Sequence, residues 1–208
     1  MGYYDSNRRW RDLGEAFNVT LALLKTFDVA NQEHGERIQL SNGLWYYYHS
    51  TSVLTADDIF VIAPNNNQPG RYLLAPGLPF DIALPLDFSL ADAAALATTP
   101  TGFVAAIGRS YWEITADWTG GSSSAIGVST DTAPHATKGD LLGGAGGDVA
   151  ATLVASAGKT LGTIGADVAG GVLLKDGVVL RYDEIVSAFT AGTGYVHLVG
   201  TCLANPGA

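Results

Sequence analysis

The chain has 208 residues, 47% of them hydrophobic and 15% charged, with a formal net charge of -9 and a pI of about 4.6. That length buries a core without metal or disulfide staples, and the acidity argues against a nucleic-acid binder, which needs a basic face to displace phosphate counterions. A single cysteine, Cys202, excludes an internal disulfide, and no run of about 18 apolar residues offers a membrane span.

The start of the chain, Met1-Gly2-Tyr3-Tyr4-Asp5, lacks a signal-peptide pattern. The chain is therefore expected to be soluble and made in a reducing cytoplasm. Its charged share lies below the roughly 25% of an average domain, and 26 glycines punctuate it. Such a composition suits a mainly β fold with many tight turns. It also suits a surface partly hidden against other chains.

Residues 1–35 read as an N-terminal helical arm. Trp10, Leu13, Phe17, Leu21 and Leu24 recur at three- and four-residue spacing, which predicts a helix over 6–27. Arg8, Arg9 and Arg11 make this end basic. They read either as a solvated helix face or as an arm that docks on an acidic partner.

Residues 36–76 read as a small β-hairpin module. Asn42-Gly43 between two β-prone runs predicts a two-residue type I′ turn, whose central residues both need positive φ. Trp45 to Tyr48 alternate aromatics across the two faces of a strand. Strands are expected at 59–63 and 71–74, with a polar loop between them.

Residues 77–208 read as a jelly-roll-like β-sandwich. Pro76, Pro79 and Pro85 break the chain into a new segment, and 87–100 reads as a short helix or loop. The stretch 103–118 is apolar enough for one long central strand. "TGGSSSAIGVSTDT" predicts a turn and a strand, "VLLKDGVVLRY" a second hairpin on Asp176-Gly177, and "GYVHLVGTCLA" a final strand.

The triplet Gly158-Lys159-Thr160 ends a possible phosphate loop, but Leu153 stands where the leading glycine belongs. The segment after it has too many glycines and β-branched residues for the helix such a loop needs. It reads as a turn with an exposed lysine. "GGAGGD" at 143–148 reads as a turn or closely packed backbone.

His34, His49, His135 and His197 show no zinc-type pairing. Asp131, His135 and Asp140 share one loop and read as solvated loop residues, and Asp57-Asp58 as a strand entrance. Lys138-Gly139-Asp140 resembles an adhesion tripeptide. Asp117, Glu113 and Asp131 are the carboxylates a β-sandwich glycosidase would draw on.

Taken as a whole, 44–77 resembles a module of tailed-bacteriophage virion proteins. The parts are an aromatic strand (Trp45 to Tyr48), a Ser/Thr turn, Ala56-Asp57-Asp58, an apolar strand ending in Pro64, a polar loop and Gly70-Arg71-Tyr72. The stretches "YWEITADWTGGSSSAIGVSTD", "TKGDLLGGAGGDVAATL" and "IVSAFTAGTGYVHLVG" are similar to β-rich head-associated proteins of phages. The resemblance implies a capsid decoration, or cement, protein on the virion surface, with the major capsid protein as partner and a homotrimer as its own assembly. It implies no cofactor, metal, catalytic residue, nucleic acid or membrane. The expected contact residues are Arg8, Arg9, Trp10, Arg11, Trp45, Tyr47 and Arg71. The alternatives are a short tail fibre or fibre adaptor that recognises a host, and a glycan hydrolase.

Overall fold

The computed structural model describes residues 19–65, 69–121, 123–185 and 187–205. Among the described residues, thirteen strands carry the fold, and every ladder between them is antiparallel.

The first described residues are extended. Val19 makes a parallel bridge to Leu40, and Thr20 then caps a short helix α1 (Leu21–Lys25) by accepting the Leu23 amide at 3.2 Å. A helix running unbroken over 6–27 is thereby corrected. β-branched Val19 and Thr20 favour extended backbone, and the cap starts the helix at Leu21. Residues 6–18, with Arg8, Arg9, Trp10 and Arg11, lie outside the described residues. Leu24 and Phe27 are buried, so this part of the N-terminal segment belongs to the core.

The module is a four-stranded sheet in the order β1-β2-β4-β3: β1 (Arg37–Gln39), β2 (Trp45–His49), β3 (Val61–Ile62) and β4 (Arg71–Leu74). The hairpin at Asn42-Gly43 is present, but its turn is longer than two residues. Only Gly43 has positive φ, at 88°, and Leu40 and Leu44 close the loop. A turn followed by one left-handed glycine replaces the type I′ form. At the entrance of β3, one carboxylate oxygen of Asp57 accepts the amides of Ile59, Phe60 and Val61 at 2.8–2.9 Å.

Two further sheets follow. One has the order β10-β9-β12-β6: β6 (Ala95–Thr98), β9 (Ala125–Thr130), β10 (Asp148–Val149) and β12 (Val179–Ile185). The other has the order β11-β8-β13-β5: β5 (Pro79–Asp87), β8 (Tyr111–Gly120), β11 (Lys159–Leu161) and β13 (Phe189–Ala204). The short β7 (Val104–Ile107) also pairs with β13. Trp112 and Trp118 of β8 and Tyr182 of β12 are buried in one continuous cluster, with the Trp118 and Tyr182 rings 6.5 Å apart.

Four expectations change here. Pro79 and Pro85 lie inside β5, because β5 is a sheet edge where a missing N–H costs no ladder bond. The stretch 103–118 splits into β7 and β8 at Gly108-Arg109-Ser110. Asp176-Gly177 is a turn with Gly177 at φ 70°, but no hairpin: Leu174 bridges to Ala105, while β12 pairs with β6 and β9. In 87–100, the alternatives of helix or loop give way to a turn and then β6.

The hydrophobic cluster runs unbroken from Val19 to Cys202. The Phe60 and Phe103 rings meet edge to face at 5.0 Å between the module and the later sheets. The end of β13 completes the join. The Cys202 amide donates to Leu78, Gly77 donates to Cys202, and the Asn205 side chain donates to the Leu74 carbonyl at 3.2 Å. Among the described residues, no helix is long and apolar enough to cross a membrane.

Cys202 is fully buried, and desolvation pushes its thiol up to about 12. The folded protein is therefore expected to resist a thiol reagent such as DTNB at pH 8 and to react with one equivalent once denatured. Rapid labelling of the native protein would contradict this burial.

Candidate functional site

Of the expected contact residues, Trp45, Tyr47 and Arg71 fall in the described part. Trp45, Tyr47 and His49 share the face of β2 opposite the buried Tyr46 and Tyr48, and all three are half-buried. Tyr47 donates its hydroxyl to the Asn205 carbonyl, and burial pushes its phenol up to about 12. It is a tie between β2 and the chain's end. Arg71 gives Nε to the Leu54 carbonyl at 2.9 Å and Nη1 to that of Gly70 at 2.8 Å. His49 meets His34 edge to face at 4.5 Å. Burial, and then the neighbouring His34, lower the His49 pKa from its usual value.

The residues singled out for chemistry are spent on structure. Asp131 accepts the Val179 amide, and Asp140 accepts that of Thr137. His135 is buried between the Leu173 carbonyl and Asp167, so it is no solvated loop residue. In Lys138-Gly139-Asp140, Lys138 is held by Asp92 and the Glu184 carbonyl, and Gly139 donates to Asp183. A Cβ on Gly139, at φ 76°, would sit 2.1 Å from the Gly144 carbonyl oxygen. The tripeptide is thus locked in close-packed backbone. Lys159 opens a strand instead of a helix, which removes the geometry a phosphate loop needs.

A cluster that the sequence does not announce lies on the outer face of the sheet containing β13. His197 of β13 places Nδ1 2.7 Å from Asp81 of β5 and Nε2 3.1 Å from Glu113 of β8. Its ring stacks on Tyr111 of β8 at 4.3 Å and 11°. Tyr111 donates to Asp81 at 2.7 Å, and Lys159 of β11 donates to the Tyr111 hydroxyl at 3.2 Å. Burial and the Asp81 bond raise the Tyr111 pKa, and the Tyr111 contact raises that of Lys159. Four strands thus contribute to one polar row across the sheet.

Beside this row opens a pocket of about 350 Å³. It is lined by Asp81, Tyr111, Lys159 and His197 of the β13 sheet and by Leu40, Asn42, Leu44, Asp58 and Ile59 of the module.

No family model matches the chain, and the comparisons with curated proteins and with solved structures likewise find no match. Both ring nitrogens of His197 meet carboxylates, so neither is open to take a substrate proton in this arrangement. The imidazole fills the space between Asp81 and Glu113 that a glycosidase leaves for sugar or water. Asp117 is committed to the Ala155 amide at 2.6 Å. Among the described residues, no group of three or more His, Cys, Asp or Glu side chains is placed to hold a metal ion. The row can orient hydrogen-bonding partners at the pocket wall.

Two outcomes are expected. Replacing His197 by Phe keeps the stack on Tyr111 and removes both carboxylate bonds. Thermal or urea denaturation should show a loss of about 1–3 kcal/mol, allowing for partial solvent screening; no loss would mean the bonds are not formed. In an NMR titration, the His49 ring should show a midpoint below 6.5 that rises when His34 becomes Gln. The lowered pKa means His49 contributes stability above its unfolded value, and that stability is lost as pH falls through the folded value.

Proposed function

We propose that the chain is a structural virion protein of a tailed phage. In this reading it is a capsid decoration protein that binds the outer head surface and holds neighbouring shell subunits together. The observation that carries the reading is the strand order. Sheets ordered β5-β13-β8-β11 and β6-β12-β9-β10 support reading this part as an eight-stranded jelly roll, with β7 as an addition beside β13. The jelly roll is an architecture shared by viral capsid proteins and lectins. Continuity of the core with the module at 36–76 supports a single rigid body that a shell could seat.

The resemblance of 44–77 to phage attachment modules supplies the proposed partner, the major capsid protein. Arg8, Arg9, Trp10 and Arg11 would supply shell contacts, with Trp45 and Arg71 on the module. Self-association as a trimer would cover exposed apolar side chains such as Leu161 and Leu203. Many identical copies on a symmetric shell would gain avidity from individually small contacts.

The experiment adds purified protein to heads that lack it and measures the bound fraction. The full chain should bind, and a chain starting at residue 19 should keep its fold but lose binding at least tenfold, because Leu24 and Phe27 stay in the core. Undiminished binding by the shortened chain would overturn the assignment to Arg8, Arg9, Trp10 and Arg11. No binding by the full chain would overturn the decoration reading.

A further inference from the structure

We infer that the pocket between the module and the outer face of the β13 sheet is a binding site for one pyranose ring of a neutral saccharide. The volume of about 350 Å³ lies at the lower end of small-ligand sites, which run from about 300 to 1,000 Å³. The lining mixes apolar and hydrogen-bonding groups, as a sugar ring does. Leu40, Leu44 and Ile59 offer an apolar surface for the C–H face of a ring. Asn42, Asp58, Asp81, Tyr111, Lys159 and His197 supply groups that donate or accept hydrogen bonds.

Charge decides the ligand class. Two carboxylates line the pocket, Asp58 and Asp81, and Glu113 lies behind them on His197. Each is already engaged, Asp58 with Lys25 at 2.5 Å, Asp81 with His197 and Tyr111, and Glu113 with His197 and with Lys159 at 3.5 Å. A cationic ligand would have to displace these partners, and an anionic one would face the Asp58 and Asp81 carboxylates. A neutral polyhydroxylated ligand meets neither penalty. Each hydroxyl both donates and accepts. The second lone pairs of the Asp81 carboxylate accept, and the exposed ammonium of Lys159 donates. The Asn42 carboxamide has its oxygen on the Leu44 amide at 3.1 Å, which turns its NH₂ group outward as a further donor.

This site is independent of the virion reading, because it rests on the pocket walls alone. The test is saturation-transfer NMR of the full chain with glucose, galactose, mannose, rhamnose and N-acetylglucosamine, with the linear polyol sorbitol as comparison. At least one pyranose should receive saturation on its ring C–H protons, and sorbitol should receive several-fold less. Ala83→Trp, at an exposed position on β5 that lines the pocket, should abolish the transfer. Lys159→Ala, a surface change, should weaken it several-fold.

Dextran and bacterial lipopolysaccharide form a second arm. Transfer to ring protons of either places the ring within a polymer, and transfer to monosaccharides alone makes the ligand a free sugar; both outcomes support a pyranose site. No transfer to any sugar, equal transfer to sorbitol, or transfer that survives Ala83→Trp would overturn the inference.

Discussion

The structure depends on β13. This 16-residue strand lies between β5 and β8 and also holds β7 along its C-terminal half. Its inward residues Val196, Leu198 and Cys202 are buried, and its outward row includes Tyr195 and His197. Close approach is built into it. At Gly194 a Cβ would fall 2.3 Å from the Glu113 carbonyl oxygen, and at Gly192 it would fall 2.5 Å from the Trp118 ring. Bulges at these positions re-aim the strand against β8. Because β13 comes last, the ladder closes only after the chain returns across long sequence distances. The His197–Asp81 contact alone spans 116 residues. Loop-closure entropy has to be met before such pairings stabilise anything, which marks the fold as one of high contact order.

The same strand unites the two parts of the chain. Its end donates to Leu78 and accepts from Gly77, and the following Asn205 reaches Leu74 and receives the Tyr47 hydroxyl. The module therefore sits on the later sheets through hydrogen bonds as well as through the Phe60–Phe103 contact. That join creates the pocket, since its lining comes from both the module and the β13 sheet. In a chain with only 15% charged residues, concentrating Asp81, Glu113, Lys159 and His197 in one row is a notable use of charge.

Strand-scale features were legible wherever local chemistry decides. Asn42-Gly43 marked a hairpin, the alternation at Trp45 to Tyr48 marked a two-faced strand, and the apolar run after Gly194 marked the last strand. Features set by distant partners were not. The turn at Asp176-Gly177 looked like a hairpin, but β6 and β9 claim β12, and no local signal announces that competition. Pro79 and Pro85 looked like breakers because edge position is a tertiary property. The polar row was hidden for the same reason. Its members come from four strands, and only register across the sheet brings them together. The outward position of Glu113 and His197 on alternating strands was a usable signal, but alternation alone does not reveal which strands are neighbours.

The decoration reading stands or falls on stoichiometry. The direct measurement is the number of copies of this chain per purified particle relative to the major shell protein, by quantitative mass spectrometry. A decoration protein should occur at a number comparable to the shell protein. A handful of copies per particle, or none, would contradict that reading.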